Sequence, residues 1–303
     1  MWLKSAVKVS GALYKSQTLC KLYIGQRERR SILMKYNRLY DEYSGIRIWE
    51  LDFLRGFCIL LMIMDHTLYD LAYIFRHRWF GGQEAAGFLY KLTEFAAKEY
   101  FSWFLRDVGW WIAVFLFVFI CGISCSFSHS NLKRGLRLAG VALLLTLVTY
   151  GMDWYMAQEN QFTIRFGVLH MLAASILLYC LLSRTGPLFM LILSFFFVAI
   201  GIYFLYFPLE STVSYSAMLV RSTADFYSAD YFPLLPWFGF FLAGASLGPL
   251  LYKERKSFFP RGGTSFWKRP ILFVGRHSLV FYVLHQPVIY GLLILIGKLF
   301  VNN

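Results

Sequence analysis

At 303 residues, 58% hydrophobic and 20% aromatic with only 16% charged, the chain carries more apolar surface than a water-soluble domain of this size can hide. The formal net charge of +13 is high enough to suggest nucleic acid. Its placement argues against that partner: the basic residues fall in the N-terminal segment and in alternate gaps between apolar runs, which is the distribution of an oriented membrane protein.

Residues 1–45 read as a basic N-terminal segment. Lys4, Lys8, Lys15, Lys21, Arg27, Arg29 and Arg30 break it too often for a cleavable secretory signal. It fits a surface-lying amphipathic helix or a plain extension. Residues 46–303 read as one all-α domain, a polytopic integral membrane helix bundle. A span needs about 20 mostly apolar residues, and seven stretches qualify: 48–75, 110–127, 136–152, 163–182, 187–207, 232–252 and 270–299. Between the first two, residues 81–106 repeat Phe88, Leu89, Leu92, Phe95, Ala96 and Tyr100 at helical spacing, which predicts one interfacial helix on the outer surface. With the N-terminus inside, twenty Lys and Arg fall on the cytoplasmic face and eight on the other. That bias predicts a multi-pass protein of the cytoplasmic (inner) membrane with a cytoplasmic N-terminus. Cys20, Cys58, Cys121, Cys125 and Cys180 form neither a metal pattern nor an even disulfide set, so inert thiols and no metal are expected.

Ionisable groups in hydrocarbon cost ~2.5–3.5 kcal/mol on insertion scales and tend to face a cavity or a partner. Here they are concentrated in three helices. The first holds Glu50, Asp52, Arg55, Asp65, His66 and Asp70; the fourth holds Arg165 and His170; the seventh holds Arg276, His277, Ser278, His285 and Gln286. At 3.6 residues per turn, Asp52, Arg55 and His66 share one face, and so do Ser278 and His285. His66 lies ~16 Å beyond Arg55 along the helix, so His66, His170 and His285 are expected to meet in the outer half of the bilayer, with Arg55 and Arg276 nearer the cytoplasm. Guanidinium forks match phosphate oxygens, and imidazoles move protons near neutral pH. Plainer readings stand beside these: Asp52 and Arg55 as a structural ion pair, His170 as an interhelical hydrogen-bonding residue, Asp70 and Asp107 as solvated helix ends, and His129 as a loop residue.

The run Arg47-Ile-Trp-Glu-Leu-Asp52-Phe-Leu-Arg55-Gly56, followed by Asp65-His66, resembles the opening helix of the heparan-alpha-glucosaminide N-acetyltransferase catalytic-domain family. Arg165-Phe-Gly167-Val-Leu-His170, Pro233-Leu-Leu-Pro236-Trp-Phe-Gly239, Gly275-Arg276-His277-Ser278 and His285-Gln286-Pro287 resemble it in the same order, over residues 46–295. The chain looks most like the small bacterial members. The resemblance implies a transmembrane acyltransferase that takes acetyl from cytoplasmic acetyl-CoA to a sugar amine or hydroxyl on the far side. Its partners would be the acyl donor, a glycan-type acceptor and the bilayer; a homo-oligomer is compatible with it.

Among the residues, the resemblance and the spacing together nominate His66, Asp65, His77 and His285 for catalysis. Arg55, Asp52, Arg165, His170, Arg276, His277, Ser278 and Gln286 are nominated for donor or substrate binding. His77 enters because the lysosomal member has an asparagine level with His66 and its catalytic histidine eleven residues later, which lands on Phe75-Arg76-His77. The segment that follows is longer here, which weakens that equivalence, and His66 is the first choice. A neutral histidine would take the acceptor's proton, with Asp65 or Asp70 orienting the imidazole; a transient acetyl-imidazole is the other route. The competing function is a proton-coupled transporter, which also needs carboxylates and histidines in mid-membrane.

Overall fold

A computed structural model describes residues 48–301, apart from 82, 129, 157–160, 253–255 and 260–264. The basic segment 1–45, Cys20, His129 and much of the basic stretch 253–269 therefore lie outside the described residues. Those described are mainly helical, without a β-sheet, and six helices are long and apolar enough to cross a membrane.

The first span starts with α1 (Trp49–Tyr69), continues through a π-helical turn (Asp70–Phe75) and ends in α2 (Arg76–Phe80), past the expected end at 75. The sequence predicts an interfacial helix next. The chain does build a helical segment there, from α3 (Phe88–Glu94) through a π turn (Phe95–Glu99) to a 3₁₀ turn (Tyr100–Ser102). It runs back along the C-terminal half of the first span, since Glu94 pairs with Arg76 and, six residues later, Tyr100 meets Asp65. Leu71, Ala72 and Phe75 pack with Ala96 of this segment and with Ile289 and Leu293 of the last span.

Then come α4 (Phe104–Ser126), α5 (Asn131–Met156), α6 (Val168–Leu182), α7 (Pro187–Tyr206), the short α8 (Ser216–Leu219), α9 (Leu234–Leu251), α10 (Arg269–Arg276) and α11 (Ser278–Phe300). Two expectations need correction. The predicted helix 270–299 is two helices, because the backbone leaves helical geometry at His277 (φ −113°, ψ 26°), whose N–H turns back to the carbonyls of Phe273 and Val274. The break falls at Gly275-Arg276-His277-Ser278, a polar interruption between two apolar runs that the sequence reading bridges as one helix. The predicted span 163–182 contains only 15 helical residues, α6; this seventh apolar helix is shorter than the ~20 residues a full span needs.

The missing turns of that span are extended backbone whose N–H groups are taken by side chains. Asp153 accepts from the N–H of Gln161, Phe162 and Thr163, and Thr149 from Ile164. Ser228 accepts from Arg165 and Phe166, His170 Nδ1 from Gly167, and Asp230 from Val168. Irregular backbone survives beside hydrocarbon only when satisfied in this way.

Helix α9 is the centre of the bundle: 56% of its apolar window is buried, against 11% for α5 and α11. Small residues let it close on its neighbours. A Cβ on Gly122 would overlap the Phe241 carbonyl oxygen, one on Gly244 that of Phe119, and one on Gly201 the Pro236 backbone. Lipid supplies no hydrophobic drive between helices, so backbone contact of this kind holds them together. Val118, Met171, Phe241 and Leu242 fill the core around it.

Candidate active site

Two clusters of polar residues lie along the seam of the first span with α10 and α11. The first depends on two glycines. A Cβ on Gly56 would overlap the Ile271 carbonyl oxygen, and one on Gly275 that of Asp52, so α1 and α10 touch backbone to backbone. The residues beside the glycines, Arg55 and Arg276, are thereby brought to one carboxylate. Arg55 Nη1 donates to Asp52 Oδ1 at 3.0 Å, and Arg276 Nε lies 3.7 Å from Asp52 Oδ2. The second arm of Arg55, Nη2, donates to Ser124 Oγ of α4 at 2.7 Å, and Ser124 in turn donates to the Ile120 carbonyl. Two guanidiniums share one carboxylate, which leaves a net positive locus with fixed donors, a match for an anion with several oxygens.

The second cluster lies farther along α1. The rings of His66 and His285 meet edge to face, with centroids 4.9 Å apart. His66 Nδ1 contacts the Met62 carbonyl at 2.9 Å, and His285 Nδ1 contacts that of Tyr282. A carbonyl only accepts, so each Nδ1 carries a proton, and the neutral form of each ring holds its lone pair on Nε2. One turn beyond, Asp70 is wholly buried and accepts from Gln286 Nε2 on both oxygens at 2.9 Å. It is not a solvated helix end. His285 Nε2 and Gln286 Oε1 are themselves buried without a hydrogen-bond partner. Buried polar atoms are nearly always satisfied, and exceptions gather at functional sites.

The other nominated residues sit elsewhere. Asp65 faces away from the imidazoles: Arg106 of α4 grips both its oxygens at 2.9 and 2.7 Å, and Tyr100 donates to it at 3.0 Å. Burial, then the charge of Asp65, raises the Tyr100 phenol, which stays a donor. His170 does not join His66 and His285. Its Nδ1 accepts from Gly167 N, so Nε2 carries the proton toward Thr146 Oγ1 at 3.0 Å, and neither nitrogen keeps a free lone pair. His77 is exposed on α2, Arg165 is exposed in the extended segment, and His277 is exposed at the α10–α11 break with its ring on Phe273. Ser278 begins α11. Among the described residues no group of three or more His, Cys, Asp or Glu is arranged to hold a metal ion. An apolar cavity of about 490 Å³ lies between α6, α7 and α9, lined by Leu178, Leu193, Phe197 and Phe238, with no titratable group on its wall.

These two clusters lie within the region that matches a family profile, heparan-alpha-glucosaminide N-acetyltransferase, catalytic, over residues 47–79 and 85–287. The chain belongs to this family. Membership makes it a multi-pass membrane protein and a transferase of the acetyltransferase type at family level. No curated protein and no solved structure matches the chain.

Across the matched region, sequence reading overlooked Ser124, Arg106, Tyr100, Thr146, Thr149, Asp153, Ser228, Asp230 and Tyr282. Tyr282 donates to Asp230 Oδ2 at 2.7 Å and so ties α11 to the loop before α9. For Arg106 a signal existed, a charged residue at the start of an apolar run. For the serines and threonines none did, because their roles come from distant backbone.

Proposed function

We propose that this member of the family moves an acetyl group from cytoplasmic acetyl-CoA to an amine or hydroxyl on a sugar at the opposite face. The observation that carries this reading is the pair of clusters of opposite character on one helix seam: cationic donors at Arg55 and Arg276, and imidazole lone pairs eleven residues farther along α1, at His66 and His285. In this reading the N-terminus is cytoplasmic, residues 1–45 are a basic segment on that side, and residues 46–303 are the transferase domain. The positive-inside bias puts the arginines toward the donor. They bind the phosphates of coenzyme A, whose long arm carries the thioester up the seam to the imidazoles.

The chemistry then balances without a metal or redox partner. The acceptor nitrogen or oxygen attacks the thioester carbonyl while Nε2 of His66 or His285 takes its proton. The C–S bond breaks, and the departing thiolate receives that proton from the imidazolium. The products are an N- or O-acetyl sugar and free coenzyme A. Asp65, held by Arg106 and Tyr100, fixes the helix that carries His66 and takes no part in the proton transfer.

The test is binding and turnover of acetyl-CoA by purified protein in lipid nanodiscs. Arg55→Ala should lose donor binding. His66→Ala should keep it and lose turnover. A wild type that neither binds nor consumes acetyl-CoA would overturn the reading and leave proton-coupled transport as the function to examine.

A further inference from the structure

The apolar cavity between α6, α7 and α9 is assembled from separate parts of the chain. Leu182 of α6 and Leu193 of α7 stand on its walls, Leu235 at the start of α9, and Leu219 and Val220 of the loop before α9 cover one end. Along α7 it runs from Leu193 to the level of Gly201, where Pro236 beside Leu235 abuts the helix, a length of ~12 Å. The cover is held by its own hydrogen bonds: Leu209 N–H donates to the Arg221 carbonyl at 2.9 Å, and the Tyr231 hydroxyl to that of Ala217 at 2.7 Å.

The lining decides what fits. Water needs two to four polar partners, and the hydroxyl on the wall, that of Ser216, is already engaged with the Val213 carbonyl and the Ser222 hydroxyl at 2.7 and 2.9 Å. A polar ligand would leave its own groups unpaired there, whereas a hydrocarbon chain has none to pair. The wall helix α7 is long and apolar enough to span, and only 17% of its apolar window is buried, so the cavity lies beside lipid. A cation stands at the covered end. Val220 is buried on the cavity in extended backbone (φ −141°, ψ 163°), so the next side chain, Arg221, turns outward. Arg221 is exposed, and its Nη1 donates to the Leu205 carbonyl in the last turn of α7 at 3.1 Å. The guanidinium is thereby kept at the end of the α7 wall, and its fork matches phosphate oxygens.

We propose that this cavity is a phospholipid site: it takes one acyl chain of a membrane phospholipid, and Arg221 holds the phosphate. The site shares no residue with the arginine and histidine clusters and stands independently of the reaction they carry.

The experiment uses full-length protein in detergent micelles with phosphatidylglycerol carrying a photoactivatable diazirine in mid-chain. The cross-linked peptides are mapped by mass spectrometry. Wild type should be labelled on the segments carrying Leu178–Leu182 and Leu193–Phe197 at probe concentrations well below those that label the exposed α5 stretch Leu143–Leu147. Leu193→Trp fills the slot and should abolish the cavity label while leaving that of α5. Leu219→Trp on the cover is the second filling variant, with the melting temperature showing which variants are folded. Arg221→Gln should raise the concentration for half-maximal labelling about tenfold, the scale of one charge-assisted hydrogen bond. A diazirine diacylglycerol, with the same chains and no phosphate, should label wild type as weakly. Equal labelling of the cavity walls and α5, or cavity labelling that survives in a folded filling variant, overturns the proposal. So does a diacylglycerol that labels as well as the phospholipid, because the phosphate contact at Arg221 is then wrong.

Discussion

Replacing Gly56 with alanine tests the link between helix contact and donor binding. The new Cβ would overlap the Ile271 carbonyl oxygen and lie 2.9 Å from Gly275 N and 3.0 Å from Ile271 C. All three are backbone atoms of the facing helix, so no rotamer change relieves the clash. Restoring carbon contacts of roughly 3.5 Å requires α1 and α10 to part by about 1 Å. Overpacking of this kind costs about 1–3 kcal/mol, which corresponds to a drop of roughly 2–5 °C in Tm for a chain of this size. The same movement widens the Arg276–Asp52 contact beyond its present 3.7 Å and separates the two guanidiniums. Misplacement by about 1 Å can cost up to about 100-fold where several groups must act together, so acetyl-CoA affinity should fall at least about tenfold. Gly140→Ala on α5 is the control: its Cβ would meet nothing within 4 Å, and helix propensity should make it neutral or slightly stabilising. The assay is thermal unfolding in detergent with acetyl-CoA binding in nanodiscs. If Gly56→Ala melts early but binds donor normally, the arginine pair is not the donor site. If it behaves like Gly140→Ala in both, the packing argument itself is wrong.

Three further outcomes are expected. Asp65→Asn leaves the guanidinium of Arg106, only 20% exposed, with the more exposed Asp107 at 3.0 Å as its remaining carboxylate, and should destabilise the fold by about 2 kcal/mol. Arg106→Gln in the same background should add much less than it does alone, and a double-mutant cycle by denaturation that shows simple additivity would refute the clasp. His170→Gln should lower Tm with little change in kcat, whereas His285→Gln should lose turnover with little change in Tm; side-by-side melting and single-turnover assays would show the reverse if His170 were the proton acceptor. Asp153→Ala removes the acceptor for three backbone N–H groups and the Thr163 hydroxyl. A loss of about 3 kcal/mol or more is expected, with faster proteolysis between α5 and α6 as the measurable sign; a protease pattern identical to wild type would sink that assignment.

In the segment after the first span, Glu94 joins Arg76 and Lys98 at 2.7 and 2.8 Å, and the Lys98 hydrogen bond holds its carboxyl below the usual range. This contact and the Asp65 clasp hold against the first span the helical segment that the amphipathic pattern of residues 81–106 predicts. The pattern reports that one face is apolar, and it is silent on whether lipid or protein covers that face. The structure divides it: Ala96 is wholly buried against protein, whereas Phe88 and Phe95 of the same pattern are exposed.

Class and rough architecture were written in local composition: apolar runs long enough to span, Lys and Arg in alternate gaps, and polar residues gathered in the first, fourth and seventh runs. Those are properties of contiguous residues, because the bilayer acts on each segment separately as it partitions. Even the value of Arg55-Gly56 and Gly275-Arg276 as markers was visible, although not that the glycines bring the arginines onto Asp52. Tertiary structure alone decided which polar residues work together. His66 and His170 look alike in sequence, each a histidine in an apolar helix, yet one keeps a free lone pair and the other spends both nitrogens on Gly167 and Thr146. Asp65 and Asp70 also look alike, and they divide between an arginine clasp and a glutamine whose orientation one of them sets. A hydrogen bond depends on atoms brought together across the bundle, such as the 216 residues separating Asp70 from Gln286, and no local pattern encodes that distance.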